Sequence, residues 1–443
     1  MAKYQQYDEY KDSGVEWLGE IPNHWEVNRH KYVASFLKGR NPTELSDDYV
    51  EGYFPYLSMD SLRGKSHSKF APLVRGLFLA REGQPLIIWD GSNAGEFVLG
   101  KEGIVSSTMA AAFLNMQLDP QYYWYLCLCF EPEMRRHANG MGIPHVNGDE
   151  LKNINLGVPA KLEQTQIASF LDHETSKIDT LIEKQQTLIQ LLKEKRQAVI
   201  SHAVTKGLNP DALMKDSGVE WLGEVPEHWE VSKLKYYSSI QGGYAFSSDS
   251  FTEEGVQILK IGNVYQNRLA LERQPTFVPE VMLEALPDFI VKDGDILMSL
   301  TGTLGKRDYG FAVAIKDDGK YLLNQRVAKL NPADEKIDRD FLLNVLWSES
   351  YLNQLYSLPS GTKQANLSNS DVLDIVITLP PSKTEQKEIA VELQNQKDIF
   401  DKAIQKAMTS IELMQERRTA LISAAVTGKI DVRGWQVPDN KAS

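Results

Sequence analysis

Apolar residues recur every seven positions along two long stretches of the chain. The first stretch carries one series at Leu171, Ile178, Gln185, Leu192 and Val199, and a second at Ile167, Leu181 and Leu188. The later stretch carries the same pattern at Leu393, Phe400, Ala407, Met414 and Leu421, with Ile404 and Ile411 beside it. Heptads sustained over this length are the signature of a coiled coil. The pattern therefore predicts two long helices whose seam contains these residues, packed antiparallel.

The start of each predicted helix has the same local chemistry. Pro159 and Pro381 precede the two heptad stretches, where a missing backbone N–H costs little. Glu163 and Glu385 then place negative charge in the first turn, next to the positive end of the helix dipole. We expect the first helix to run from about Glu163 to Lys206.

Long parts of the chain occur twice. Asp12–Val27 reads DSGVEWLGEIPNHWEV, and Asp216–Val231 repeats it with changes at two positions only. Leu191–Thr205 likewise recurs as Leu413–Thr427. The chain is therefore a duplicated half-molecule, and we expect pseudo-two-fold symmetry between its halves. His24 and His228, each beside a tryptophan of the repeat, are interpreted as structural residues.

The blocks between the repeated segments differ in sequence but share a pattern. Short apolar runs predict strands at Tyr53–Ser58, Pro85–Trp89, Ile154–Val158, Val256–Ile261 and Asp295–Leu300. Gln121–Glu131 and Asp340–Trp347 are predicted to be one buried helix in each block. The fold class is therefore α+β. We divide the chain into 1–158, a helix at 159–207, 208–380, and a helix and tail at 381–443.

Composition narrows the function classes. The 443 residues carry a net charge of −12, which argues against a lone protein that binds nucleic acid without regard to sequence. The two cysteines, Cys127 and Cys129, are too close to form an unstrained bridge on a helix and lie in an apolar run, which predicts core residues rather than a zinc site. With no signal peptide or membrane-spanning segment apparent, we expect a cytoplasmic protein.

Local groups of cations and amides are candidates for contact with DNA. Positive side chains contact phosphates, whereas arginine, lysine, asparagine and glutamine also read base edges. An ordinary solvated loop is the alternative interpretation for each group. The candidates in the first block are Arg63, Lys65, His67, Lys69 and Arg75. Those in the second block are Lys260, Asn263, Gln266, Asn267, Arg268, Thr303, Lys306, Arg307 and Lys363.

Enzyme motifs are largely missing from the sequence. The segment around Gly302 and Lys306 lacks the spacing of a nucleotide-binding P-loop, and we find neither a dinucleotide fingerprint nor a metal-ligand spacing. Asp288, Asp318 and Lys320 could be read as a Mg²⁺-dependent nuclease site, although Asp317–Gly319 is better interpreted as a turn. A self-contained restriction endonuclease, and a coiled-coil protein that binds only other proteins, remain the alternatives.

Taken together, the repeated Gly14–Trp25 and Gly218–Trp229 segments and the Pro-x-x-x-Glu-Gln helix starts resemble the DNA-specificity subunit of Type I restriction-modification systems. Gly243–Phe246, Lys260–Asn263 and Gly294–Gly302 resemble that family's target-recognition domain. The resemblance implies a non-catalytic subunit with two such domains, each reading half of a bipartite site on double-stranded DNA. The paired helices would set the spacing and bind two methyltransferase subunits, and restriction subunits would join them. The subunit itself would hold no cofactor, while its partners would use S-adenosylmethionine, ATP and Mg²⁺.

Overall fold

The structure is a computed structural model that describes residues 4–65, 69–115, 118–136, 144–358 and 364–437. The chain divides into two compact units. Unit 1 contains the residues up to Gln185 together with those from Thr409 onward, and unit 2 contains Gln186–Met408. Each of the two long helices therefore contributes one part to unit 1 and another to unit 2.

Unit 1 combines short strands with helices of very different lengths. Its strands are Tyr10–Asp12, Glu20–Pro22, Glu26–Arg29, Ala34–Lys38, Tyr53–Leu57, Lys69–Pro72, Leu79–Ala80, Pro85–Ile88, Phe97–Leu99, Gly103–Val105, Met109–Leu114 and Asn155–Val158. Its helices are His30–Val33, Met59–Leu62, Pro120–Arg136, Gly148–Asn153 and the first part of Lys161–Lys206. The second long helix, Lys383–Val426, ends in this unit.

Unit 2 has a similar set of elements. Its strands are Met214–Asp216, Glu224–Pro226, Glu230–Lys233, Ser238–Gly242, Val256–Leu259, Val264–Tyr265, Arg268–Leu269, Phe277–Val278, Ile290–Val291, Ile296–Ser299, Thr301–Thr303, Ala312–Ala314, Tyr321–Leu323, Val327–Pro332, Gln364–Asn366 and Val376–Leu379. Its shorter α-helices are Met282–Ala285, Arg339–Trp347, Glu349–Ser357 and Asn369–Leu373. Within the described residues of this unit, 3-10 helices lie at Leu234–Tyr236, Ser248–Ser250 and Pro287–Phe289.

The two units have the same sheet topology. Each contains two four-stranded sheets, and the order of the strands within each sheet is the same when the strands are matched along the chain. A parallel pairing of two strands also matches, because Gly103–Val105 pairs with Tyr53–Leu57 as Tyr321–Leu323 pairs with Val256–Leu259. The predicted α+β class is confirmed, and the two divergent blocks share one architecture.

The units differ mainly in what connects these strands. After Tyr53–Leu57, unit 1 has the short helix Met59–Leu62, whose start is capped by Ser58. After Val256–Leu259, unit 2 has instead the hairpin of Val264–Tyr265 and Arg268–Leu269. Unit 2 also gains a strand pair, Thr301–Thr303 with Gln364–Asn366, where unit 1 has one bridge between Asp90 and His145. The shared sheets thus carry different loops.

Within each unit, the two long helices run antiparallel. In unit 1, Arg418 pairs with Asp179 at 2.9 Å, and the amide of Gln166 donates to the carbonyl of Arg433, so earlier positions on one chain segment meet later positions on the other. In unit 2, Arg196 pairs with Asp401 at 2.6 Å, while Val204 and Ile389 lie in one hydrophobic core. The first helix has 46 residues and is therefore about 69 Å long, at about 1.5 Å per residue.

Most of the predicted seam residues are buried or half-buried, but two are not. Leu181 and Leu188 expose 49% and 43% of their surface, so their prediction as seam residues is wrong. The adjacent residues Ile182 and Ile189 are half-buried instead. With Ala168 and Thr175, which are buried, they form the second heptad series one position later than predicted. The remaining predicted members lie at buried or half-buried positions: Ile167, Leu171, Ile178, Leu192, Val199, Leu393, Phe400, Ile404, Ile411, Met414 and Leu421.

Candidate nucleic-acid interface

The repeated segment is held to its long helix by one buried carboxylate. In unit 1, Glu163 accepts hydrogen bonds from the indole N–H of Trp25 at 2.9 Å and from the hydroxyl of Tyr7 at 2.7 Å. The imidazole Nε2 of His24 lies 2.8 Å from the same carboxylate. The pKa of the Tyr7 hydroxyl is raised far above its usual value, mainly by burial and further by the Glu163 carboxylate to which it is bonded. The Pro-x-His-Trp motif and the glutamate of the helix start therefore form one contact.

Unit 2 repeats this contact with a more exposed carboxylate. Glu385 accepts from the indole N–H of Trp229 at 2.9 Å and lies 3.1 Å from Nε2 of His228. The Glu385 side chain is 32% exposed, compared with 7% for Glu163. The interpretation of His24 and His228 as structural residues agrees with these contacts.

The glutamine that follows each glutamate attaches the block helix. The side chain of Gln164 accepts from the backbone N–H of Asp119, directly before helix Pro120–Arg136, and donates to the carbonyl of Pro159. Gln386 does the same with Asp338 and Pro380 in unit 2. The repeated Glu-Gln pair thus fixes both the repeat motif and the block helix to the long helix, so that each block is held at a defined place.

A buried histidine lies in the core of unit 1. His30 places Nδ1 2.9 Å from the carbonyl of Leu151 and Nε2 2.8 Å from the hydroxyl of Tyr123. Burial lowers the pKa of His30 to about 4, against a smaller opposing effect of the Leu151 carbonyl. The neutral imidazole can satisfy both partners by donating from Nδ1 and accepting at Nε2. His30 is therefore a core residue rather than a site residue.

The candidate cations of the first block differ in their surroundings. Arg63 is bound to Glu96 at 2.5 Å, and Lys69 pairs with Asp47 at 3.0 Å. Lys65 and Arg75 are exposed and make no ion pair among the residues that the structure describes. His67 lies outside the described residues. Lys65 and Arg75 thus remain the cations of this group that are free to contact phosphate.

One candidate of the second block has a different role from the predicted one. Asn263 is 1% exposed, accepts from the backbone N–H of Lys260, and donates to the carbonyls of Ala270 and Arg273. Its prediction as a DNA-contacting residue is wrong, because its side chain is buried and both its amide oxygen and its amide nitrogen are bonded to backbone groups of the fold. Lys260 itself is half-buried at the end of its strand.

The tip of the hairpin in unit 2 is strained and anchored. Gln266 and Asn267 have φ of 52° and 59°, which lie in the left-handed region that residues other than glycine adopt rarely. Oδ1 of Asn267 accepts from the backbone N–H of Ala312 at 3.0 Å, so this amide oxygen is occupied. Gln266 is exposed, whereas the exposed Arg268 pairs with Glu272 at 2.9 Å.

The Thr301–Arg307 loop presents one unpaired cation. Arg307, with φ of 51°, places its guanidinium over the ring of Tyr356 at 5.1 Å and donates to Asn353. The backbone N–H of Thr303 donates to Asp308, which braces the loop. Lys306 is exposed and has no ion-pair partner within the described ranges. Lys363 lies outside those ranges.

Sequence analysis did not single out Arg273, which lies next to this loop and hairpin. Its guanidinium carbon is 3.9 Å from the centre of the Tyr265 ring, a cation–π contact. The two residues also line one cavity with Thr301, Thr303 and Asp308. Nothing in the spacing of Tyr265 and Arg273 indicates this contact, because a hairpin and a turn separate them.

Asp317, which precedes the proposed nuclease residue Asp318, is bonded within the fold. Asp317 accepts from the backbone N–H of Gly319 and from the hydroxyl of Tyr321, as expected for a turn. Burial and this bond raise the pKa of Tyr321 to about 12. In the part of the chain that the structure describes, no group of three or more His, Cys, Asp or Glu residues could hold a metal ion. Over the same residues, no helix has the length and apolar character needed to cross a membrane.

Comparison with known proteins defines the class of this chain. The family model for the Type I restriction modification DNA specificity domain matches twice, at residues 22–192 and 226–412. The chain is also 35% identical to the Type I restriction enzyme MjaVIII specificity subunit of Methanocaldococcus jannaschii, over 93% of this chain and 94% of the relative. The chain therefore belongs to the family of Type I restriction-modification DNA-specificity subunits, as the sequence motifs predicted.

Further relatives and solved structures agree with this assignment. The putative MjaX specificity subunit of the same organism is 26% identical over 94% of this chain and 96% of its own length. A chain from a type I R-M system, solved to describe complex assembly and conformational transition, covers 92% of this chain and 98% of its own, with a TM-score of 0.66 and 16% identity. The HsdS subunit from Thermoanaerobacter tengcongensis gives a TM-score of 0.50 at 16% identity, over 95% of this chain and all of its own. These structures share the fold, and the named relatives are specificity subunits rather than catalytic ones.

Proposed function

We propose that this chain reads the two halves of a bipartite DNA site, one half with each unit, and sets the distance between them with its long helices. The observation that carries the proposal is that units 1 and 2 share one strand order but place different loops on it. A shared frame with different loops is the arrangement expected of two readers that bind the same kind of ligand but distinguish different sequences. In this proposal the readers lie within 1–158 and 208–380, and 159–207 and 381–443 connect them.

Reading in two halves has a physical advantage. Each mismatched base pair costs about 1–3 kcal/mol, so a short half-site alone discriminates weakly. Two readers joined by a stiff connection add their penalties, and binding of the first raises the effective concentration of the second. A continuous helix fixes that separation better than a flexible linker does.

The acidic charge of the chain fits a subunit that works with partners. With a net charge of −12, the chain as a whole repels DNA, so its local cations need help from other proteins to hold the duplex. We propose that two methyltransferase subunits supply this help and that the long helices bind them. Restriction subunits would complete the complex. The partners would bring S-adenosylmethionine, ATP and Mg²⁺, and this chain would hold no cofactor.

Sequencing of methylated bases tests this proposal. The chain is expressed with its methyltransferase partner in cells that lack other modification systems, and the methylated motif is read from the genome. We expect one motif with two specified parts separated by a fixed unspecified gap. A single uninterrupted motif would contradict the two-reader proposal.

Incubation of the purified chain with Mg²⁺ and DNA tests the alternative of a self-contained endonuclease. We expect no cleavage by the chain alone. Cleavage that is lost when Asp288 and Asp318 are both changed to asparagine would instead favour the nuclease.

A further inference from the structure

Unit 2 contains an open cavity of about 420 Å³ between its hairpin and the Thr301–Asp308 loop. The polar residues that line it include Tyr265, Arg273, Thr301, Asp308 and Gln364. Its volume is in the range of cavities that hold small molecules or parts of larger ones. Among its lining residues, Thr303 is one of the candidates for contact with DNA that the sequence indicated.

Arg273 makes one contact through its side chain and another through its backbone. Its guanidinium lies over the Tyr265 ring at 3.9 Å, and Tyr265 in turn packs edge-on against Phe311, with 5.6 Å between ring centres. Its backbone carbonyl accepts from the buried amide of Asn263 at 2.9 Å. A guanidinium stacked on an aromatic ring keeps its N–H groups at the edge of its plane. The donors of Arg273 are thus fixed in direction before any ligand arrives.

Arg273 makes no ion pair among the residues that the structure describes. It is exposed, and no carboxylate among the described residues lies within ion-pair distance of it. Arg268, on the hairpin that precedes Arg273, gives the contrast, because it pairs with Glu272 at 2.9 Å.

The same cavity offers an acceptor and an unsatisfied hydroxyl. Asp308 is half-buried there, with one carboxylate oxygen bound by the backbone N–H of Thr303. Thr301 is 5% exposed, and its hydroxyl finds no hydrogen-bond partner among the described residues. A carboxylate repels a phosphate but accepts readily from an amino group. The combination therefore favours the edge of a base pair over the DNA backbone.

We propose that this cavity reads a G·C base pair through its major-groove edge. Arg273 donates two hydrogen bonds to O6 and N7 of guanine, and Asp308 accepts one from N4 of cytosine, which is the complementary pattern of donors and acceptors. Asn263 is a positioning residue that fixes the backbone of Arg273. This inference rests on the proposed function, since it assigns one base pair within the half-site that unit 2 reads.

Exchange of Arg273 tests the inference, with Arg268 as the matched control. Full-length chain carrying Arg273→Ala, Arg273→Lys or Arg268→Ala is purified with its methyltransferase partner. Binding is measured to the wild-type site and to sites with each base pair of the second half-site changed in turn. We expect Arg273→Ala to lose the preference for guanine at one position, by about 5- to 150-fold, and Arg273→Lys to keep part of it, because lysine can also donate to O6 and N7. The Arg268 variant and all positions of the first half-site should keep the wild-type preferences.

Two further measurements separate base reading from other roles. Substituting 7-deazaguanine, which lacks the N7 acceptor, at the affected position should weaken wild-type binding but leave the Arg273→Ala variant unchanged. Asn263→Asp keeps the oxygen that accepts from the backbone N–H of Lys260 but loses the amide N–H groups that donate to the carbonyls of Ala270 and Arg273. This variant should therefore weaken the preference for guanine at the same base pair. A merely structural effect would instead lower affinity for all sequences alike.

The outcomes distinguish this inference from the proposed function. If Arg273→Ala weakens every sequence equally and reduces the salt dependence, the residue contacts phosphate and the inference is overturned. The same holds if the variant keeps all wild-type preferences. If the wild-type complex itself shows no sequence preference, the proposed function fails, and this inference with it.

Discussion

Removing the carboxylate of Glu163 should destabilise unit 1 more than the equivalent change destabilises unit 2. Glu163→Ala leaves two buried donors without a partner, the indole of Trp25 and the hydroxyl of Tyr7, which are 0% and 5% exposed. His24 is 44% exposed at its side chain, so water can replace its lost contact. At about 1–3 kcal/mol for each unsatisfied buried donor, the expected loss is about 2–6 kcal/mol.

Glu385→Ala provides the matched control in the same molecule. It leaves one buried donor, the indole of Trp229, and the 32% exposure of Glu385 indicates that water can approach the vacated position. The expected loss is therefore about 1–3 kcal/mol at most. Glu163→Gln, which retains an acceptor oxygen, should lose less than Glu163→Ala.

Native-state hydrogen exchange followed by mass spectrometry measures the two losses separately. Peptides that cover Trp25 and Trp229 report the opening free energy of each unit, which a single unfolding transition of a two-unit chain would not resolve. We expect faster exchange around Trp25 in Glu163→Ala than around Trp229 in Glu385→Ala. An equal or larger effect of Glu385→Ala would refute the reasoning from burial and donor count.

Two other predictions concern the core and the DNA contacts. Burial lowers the pKa of His30 to about 4, so acid favours the unfolded state, in which the imidazole binds a proton more readily. The contribution of neutral His30 to the free energy of unfolding is complete above about pH 6.5 and is lost as the pH falls toward 4. Unit 1 should lose about 2 kcal/mol through this group between pH 7 and pH 5. The opening free energy of unit 1, measured by hydrogen exchange, should depend less on pH in His30→Gln than in the wild type, and an unchanged dependence would contradict the assignment. Lys306→Ala should weaken binding to the second half-site only, and it should reduce the slope of log binding constant against log salt concentration by about one unit. Lys65→Ala should have the same effect on the first half-site. Binding titrations at several salt concentrations measure both slopes, and unchanged slopes would remove these lysines from the interface.

The long helices could be predicted from the sequence because their pattern extends over many turns. The error at Leu181 and Leu188 has a local cause, since each is followed directly by an isoleucine and both residues satisfy an apolar pattern. The internal repeat of the sequence indicates the correct seam residues. The alignment that pairs Leu171 with Leu393 also pairs Ile182 and Ile189 with Ile404 and Ile411, which had been placed in the second seam.

The candidate DNA interface could be predicted only in outline. The sequence indicated the hairpin region and the Thr301–Arg307 loop, but not which of their side chains are occupied within the fold. Asn263 looks like a base-reading amide in sequence, yet it is buried and bonded to three backbone groups. Arg273 was missed because its role depends on a contact with Tyr265 that has no sequence pattern. Local composition indicates where polar groups lie, whereas tertiary contacts decide which of them are free.

The central claim is that the long helices set the distance between two half-sites, and lengthening them tests it most directly. Seven residues of matching heptad sequence are inserted after Gln185 and again after Met408, where the two units meet along the chain. The insertion adds about 10 Å of helix, which corresponds to about three base pairs of DNA. Sequencing of methylated bases should show both half-sites unchanged and the gap between them longer by about that amount. Altered half-sites with an unchanged gap would contradict the account.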